Sequence, residues 1–188
     1  MPDNVSQNSI NSAADHYKLL SEIQDRVLWL AMQMIYYANN VRSNSDGSKV
    51  GGHQASSASI VTILTSLFFD YMKPGDRIAI KPHASPTFHA IQYLLDNLDQ
   101  RYLKTLREYR GLQAYPSRTK DPDYVDFSTG SVGLGAIAPN FAALTEQYLE
   151  SHFSSGIDRP NRFISVVGDG ELDEGSIWEA IAEPFMSD

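Results

Sequence analysis

The run Val166-Val167-Gly168-Asp169-Gly170-Glu171-Leu172-Asp173-Glu174 decides how the rest of the chain is read. It continues an apolar segment, Phe163 to Val167, whose short and β-branched character predicts a buried parallel strand. Two glycines around an aspartate then break the strand, and Gly175-Ser176-Ile177-Trp178-Glu179-Ala180 reads as a helix. In α/β proteins, ligands bind in the crevice at the carboxyl ends of strands, where this turn falls. Gly168 and Gly170 suit close approach of backbone to a phosphate. Asp169 alone would repel one. A hard cation such as Mg²⁺ removes the conflict, because it takes oxygen ligands from carboxylate and phosphate together. The turn therefore reads as a metal-bridged diphosphate site with Asp169 as metal ligand. The bland alternative is a strand-to-helix turn with Asp173 as N-cap.

Working outward, the chain predicts an α/β fold, a parallel sheet flanked by helices and incomplete at the C-terminus. Residues 1–14, rich in Asn and Ser, read as a mobile leader, and residues 15–188 as one partial domain. The first helix is expected from Asp15 to Val41, with Leu20, Ile23, Val27, Leu30 and Met34 on one stripe. A second should carry Ile60, Leu64, Leu67, Phe68 and Tyr71 on one face. Arg77 to Ile80 reads as a strand, followed by a helix with Phe88, Ile91, Leu95 and Leu98 buried and a polar helix over Gln100 to Tyr109. Gly111 to Thr129 has no period and reads as a long functional loop. Ser131-Val132-Gly133-Leu134-Gly135 opens a helix with Pro139 in its first turn. Two strands are too few for such a sheet, so the missing ones are expected from further chain or from a partner.

Composition narrows the function classes. Lys plus Arg number 15 and Asp plus Glu 23, a net charge of −8 with no basic block, which excludes a general nucleic-acid surface. There are no cysteines, hence no disulfide, thiol nucleophile or zinc-thiolate centre, as suits a cytoplasmic protein. Ile60 to Phe69 is too short and too rich in Thr and Ser to span a membrane.

Two histidines stand at element edges, in Gly51-Gly52-His53 and in Pro82-His83-Ala84-Ser85-Pro86. A loop histidine is usually solvated, but two placed just before helices can face one cleft. His89 reads as packing or surface, and His16 and His152 as surface. The glycine-rich entry Thr129 to Gly135 can hold an anion on free N–H groups or simply pack as a tight turn.

In order, Val50-Gly51-Gly52-His53, Gly75-Asp76, His83-Ala84-Ser85-Pro86, Gly111-Leu112, Tyr115-Pro116, Ser131 to Gly135 and Gly168 to Glu174 resemble the diphosphate-binding domain of the transketolase-like thiamine-diphosphate enzymes. The resemblance is strongest to the homodimeric type of pyruvate dehydrogenase first component. It implies thiamine diphosphate and Mg²⁺ as cofactors. Asp169 would be a metal ligand, with Gly168, Gly170 and Glu171 at the diphosphate and Ser131, Val132, Gly133 and Leu134 along the cofactor. His53 and His83 would serve the thiazolium and substrate, Tyr115 would belong to the active-site loop, and Glu174 would couple two sites across a homodimer. The implied reaction is decarboxylation of a 2-oxo acid, with the acyl unit passed to a lipoyl-bearing acyltransferase. Ser117-Arg118 stand where such dehydrogenases carry a histidine, and the run after Glu174 is closer to transketolase. The second metal ligand and the activating glutamate would lie beyond Asp188, so the chain alone is expected to be inactive. The rival readings are a transketolase, a non-catalytic binding module, and a Mg²⁺-dependent nucleotide binder, for which no lysine-bearing phosphate loop is present.

Overall fold

The computed structural model describes residues 3–45, 47–130, 132–153 and 161–183, with side chains from Ser12 onward. The order is α1 (Asp3–Tyr36), α2 (Gln54–Ala58), α3 (Val61–Ser66), β1 (Arg77–Ala79), α4 (Ser85–Leu94), α5 (Leu134–Phe153), β2 (Phe163–Ser165) and α6 (Gly175–Ile181). β1 and β2 pair in parallel, with Arg77 opposite Phe163, Ile78 opposite Ile164 and Ala79 opposite Ser165. The α/β class and the parallel pairing expected from the two apolar runs are both present.

Parallel strands need cover on both faces, and the chain supplies it from two sides. On one, Ile78, Ile80 and Val166 join Val27, Ala31, Ile60, Val61, Leu64, Phe88 and Ile91 in a single core. On the other, α5 lies across the pair. A Cβ on Gly135 would come within 3.9 Å of the Ala79 Cβ, and Ser165 donates its hydroxyl to the Ala136 carbonyl. A second core, from Met34, Ile35, Ala38, Leu98, Leu106 and Leu112, sits under the far end of α1.

Register is fixed at the strands' amino ends. The Asp76 carboxylate accepts from the Arg162 backbone N–H at 3.0 Å and from its Nη2 at 2.6 Å, and the Arg162 guanidinium also stacks 3.9 Å over the Tyr71 ring. With Oδ1 taking the backbone N–H and Oδ2 taking both Nε and Nη2 of the guanidinium, the carboxylate restricts sliding as well as separation. At the opposite, carboxyl ends, the chain leaves the sheet as two loops, and those loops carry the expected chemistry.

Several boundaries differ from the sequence expectation. α1 begins at Asp3, not Asp15, and its last turn widens to a π turn over Tyr37–Val41. Its buried stripe is Val27, Ala31, Met34, Ile35 and Ala38, because small alanines let α4 approach closely, which large-residue periodicity does not register. The second helix is broken into α2, α3 and a π turn over Leu67–Tyr71, with Tyr71 half exposed. α4 is buried from Ser85 to Gln92 on every side, so it is a central helix and not an amphipathic one. The polar helix is only a 3₁₀ stretch, Gln100–Lys104. Pro139 falls in the second turn of α5, where it forgoes the bond to the Gly135 carbonyl. The N-cap of α6 is Glu174, not Asp173, because a 3₁₀ stretch over Asp169–Asp173 intervenes.

Candidate active site

The first loop is set by glycines that the fold requires. Gly51 donates its N–H to Asn39 Oδ1 at 2.6 Å, and a Cβ there would lie 2.6 Å from the Ile35 carbonyl oxygen. Gly52 has φ +86, a conformation that favours glycine. This crossing of α1 delivers His53, in extended conformation, to the N-cap of α2. The second loop leaves β1 through Lys81 into the single turn Pro82–Ala84 and presents His83. Ser57 of α2 donates its hydroxyl to the His83 carbonyl at 3.3 Å, and Thr87 donates to the Ser57 carbonyl at 3.0 Å. The two histidine loops are thereby tied together.

The imidazoles of His53 and His83 meet edge to face, with centroids 5.7 Å apart, and the centroid of the Tyr115 ring lies 6.3 Å from that of His83. All three are solvent-exposed. Tyr115 is held from behind. Ser85 donates its hydroxyl to the Ala114 carbonyl at 3.0 Å, and Asp121 accepts the N–H groups of Gln113 and Ser117, each at 2.7 Å. A loop with no regular structure of its own is thus pinned on both sides of its tyrosine.

Beside this aromatic line lies a cavity of about 250 Å³ lined by Ser56, Lys81, Pro82, His83, Gly168, Asp169, Gly170 and Glu171. The strand-end turn and the His83 loop therefore face each other, as parallel pairing of β1 and β2 requires. Gly168 donates its N–H to Glu171 Oε2 at 2.8 Å, so Glu171 braces the turn from within. A Cβ on Gly170 would meet nothing within 4 Å, and its φ is not in the left-handed range. The fold itself has no need of a glycine there. The donor set fits a magnesium diphosphate: carboxylate oxygen for the metal, and an ammonium group and glycine backbone for phosphate.

The other expected residues are placed less centrally. His53 opens on a neighbouring hollow with Asn39, Asn40, Lys49 and Gly52, and reaches the cavity only through His83. Gly133, at φ +77, is packed against α6, where a Cβ would lie 2.8 Å from Ile177 Cγ1 and 3.5 Å from the Glu174 Cβ. Val132 and Leu134 are half exposed. None of Val132, Gly133, Leu134 and Glu174 lines the 250 Å³ cavity. Ser131 lies outside the described residues.

Comparison with known proteins gives the family of the chain. The family model described as 1-deoxy-D-xylulose-5-phosphate synthase matches residues 29–186. The chain belongs to this thiamine-diphosphate-dependent family. It is 32% identical over 171 residues to the pyruvate dehydrogenase E1 component of Pseudomonas aeruginosa, covering 85% of this chain and 18% of that protein. It is 30% identical over 169 residues to the E1 component of Cupriavidus necator, covering 85% and 18%. With transketolase-like protein 2 of Mus musculus it shares 32% identity over 142 residues, covering 70% of this chain and 21% of that one. The chain thus spans about a fifth of the length of the curated relatives it matches. Among the described residues, no helix is long and apolar enough to cross a membrane.

Two features of this family member were not singled out from sequence. Lys81 reads as the first residue of the loop after the Arg77–Ile80 strand, and it lies in the cavity with Asp169 and Glu171, its ammonium 3.4 Å from Ser59 Oγ. His89 is not a surface group: it is fully buried against Asp121 and Asp123. Burial pushes the Asp121 carboxyl above its ordinary range, while the nearby imidazole and the N–H groups of Gln113 and Ser117 pull it back. The loop segment Asp121-Pro122-Asp123 looks solvated in sequence, yet the fold turns both carboxylates inward and leaves Pro122 exposed.

Proposed function

We propose that the chain is the diphosphate-binding part of a thiamine-diphosphate-dependent 2-oxo acid dehydrogenase of the pyruvate type. The carrying observation is the cavity in which the Gly168-to-Glu171 turn faces Lys81 and His83, with His53 and Tyr115 continuing the line. Asp169 is the protein's carboxylate for Mg²⁺, and Gly168, Gly170 and Lys81 receive the diphosphate, with Glu171 holding the turn. When bound, the cofactor supplies the nucleophile and electron sink for carbon–carbon cleavage next to a carbonyl.

The residues of this chain then bind, orient and move protons. His83 and His53, solvent-exposed imidazoles in contact, would donate hydrogen bonds to the oxygen on which negative charge develops and deliver a proton to it. Tyr115 closes the open side of His83. The segment Ser131, Val132, Gly133 and Leu134 runs along the cofactor, and Glu174, against Gly133, communicates with the second site of a homodimer. The product acyl group leaves on a lipoyl-bearing acyltransferase.

Titration calorimetry on the full 188-residue chain tests the cofactor assignment. Thiamine diphosphate with Mg²⁺ should bind, Mg²⁺-ATP should not, and Asp169→Ala should abolish the signal. Binding of ATP in preference to thiamine diphosphate overturns the reading. A second reading, transketolase, is favoured by Arg118, an exposed cation in the Tyr115 loop suited to a sugar phosphate, and by the mouse relative. Release of CO₂ from pyruvate by the complete enzyme separates the two; ketol transfer between sugar phosphates with no such release selects transketolase.

A further inference from the structure

Behind the Tyr115 loop lies a polar cluster that the cofactor site does not use. His89 projects from the centre of α4, a helix buried on all sides, and its side chain has no exposure to water. Its Nδ1 lies 2.6 Å from Asp123 Oδ2, and its Nε2 lies 3.9 Å from Asp121 Oδ1. The three side chains are all fully buried. Asp121 is satisfied by the N–H groups of Gln113 and Ser117. His89 Nε2 and Asp123 Oδ1 have no hydrogen-bond partner.

Electrostatics makes this arrangement incomplete. Two buried carboxylates face one imidazole, so even an imidazolium leaves a net negative charge without counter-charge in the cluster. Burying an unpaired charge or an orphaned donor or acceptor is costly, and native interiors rarely leave one. One ligand atom from each of His89, Asp121 and Asp123 lies within 4.8 Å of the other two. Neighbouring ligands of one ion, each at about 2.0–2.2 Å, stand about 3.0–3.5 Å apart, so taking up an ion requires the His89–Asp123 pair to open from 2.6 Å and the Asp121 carboxylate to close from 3.9 Å. An imidazole with two carboxylates suits Zn²⁺, Mn²⁺ or Co²⁺, whereas Mg²⁺ and Ca²⁺ prefer all-oxygen sites.

We propose that His89, Asp121 and Asp123 form a second metal site, for a divalent transition ion, separate from the cavity at Asp169. Its role is positional. Asp121 grips the loop on both sides of Tyr115 through Gln113 and Ser117, so an ion joining Asp121 to His89 fastens that loop to the central helix α4. The loop acquires a cross-link in place of the regular structure it lacks, and Tyr115 is held at His83.

The test uses the full chain, stripped with chelator and titrated with Co²⁺, read by its visible d–d absorption and by trypsin cleavage after Arg118 and Lys120. One equivalent of Co²⁺ should bind, be displaced by Zn²⁺, and slow cleavage at both sites. The conservative variants Asp121→Asn and His89→Gln should each weaken Co²⁺ binding by about tenfold or more, whereas His83→Gln should leave it unchanged. Circular dichroism checks that the variants fold, and the wild-type titration decides the matter even if one does not. Absence of both the d–d bands and the protection overturns the site, leaving a histidine–carboxylate ion pair or a buried water. Bands that persist in His89→Gln and vanish in His83→Gln overturn it as well, by moving the ion to the exposed histidines.

Discussion

Gly170→Ala separates what the fold requires from what the ligand requires. A Cβ at position 170 would have no neighbour within 4 Å, and the backbone is outside the left-handed range. Folding should therefore be unharmed, and restricting the unfolded chain should add about 0.4–1 kcal/mol of stability. The same methyl intrudes into a cavity of about 250 Å³ whose floor is this turn. If phosphate oxygens approach the Gly170 backbone, affinity for Mg²⁺-thiamine diphosphate should fall at least about tenfold, roughly 1.4 kcal/mol. Gly51→Ala is the contrast. Its methyl would press on the Ile35 carbonyl oxygen at 2.6 Å and on Asn39 Oδ1 at 2.9 Å. Overpacking costs about 1–3 kcal/mol and the displaced Gly51–Asn39 hydrogen bond about 1 kcal/mol more. At about 2–4 °C per kcal/mol for a chain of this size, the Gly51 variant should melt well below wild type and the Gly170 variant at or above it. Thermal melts with and without saturating Mg²⁺-thiamine diphosphate provide both readings, since a ligand at 100 times its Kd adds about 2.7 kcal/mol. A Gly170 variant that is as destabilised as Gly51→Ala, or that keeps the full ligand-induced shift, refutes the reasoning.

Lys81→Met keeps the apolar stem of the side chain but removes the ammonium group from the cavity. Diphosphate affinity should drop about tenfold or more and lose part of its salt dependence, which isothermal titration at two ionic strengths checks. Asp126 caps β1 by accepting the Ile78 N–H at 3.0 Å and one Arg77 nitrogen at 3.0 Å. Asp126→Ala leaves that amide without its acceptor and should cost about 1–3 kcal/mol, measurable by urea unfolding. His83 is exposed, and its ring neighbours those of His53 and Tyr115. His83→Gln should change stability by no more than about 0.5 kcal/mol while lowering pyruvate turnover in the complete enzyme by about a hundredfold.

The strand–turn–helix around Asp169 and the parallel partner at Arg77 were legible because their signals are local: an apolar β-branched run, then glycines, then helical spacing. The convergence of His53 and His83 was legible too, since both stand where an element begins. What escaped depends on tertiary packing. α1 buries alanines that carry little hydrophobic signal, so its stripe was drawn through larger residues such as Leu20 and Leu30. α4 sits at the centre of the molecule, and no amphipathic period marks a helix covered on all sides. His89 reads as packing or surface, and its pairing with Asp121 and Asp123 emerges only when the 111–129 loop folds over α4, because His89 and Asp123, 34 residues apart, leave no spacing rule to read. Lys81 opens the loop just past a strand's carboxyl end, and that position is the one local hint of its binding role.

In the proposed function, the Gly168-to-Glu171 turn, Lys81 and His83 together receive a magnesium-bound diphosphate of thiamine. Amide NMR of the full chain, titrated with thiamine diphosphate in the presence of Mg²⁺, addresses it residue by residue. Saturable shifts should concentrate at Gly168, Asp169, Gly170, Glu171, Lys81 and His83, and disappear in Asp169→Ala. Shifts confined to other surfaces, or unchanged in Asp169→Ala, would contradict it.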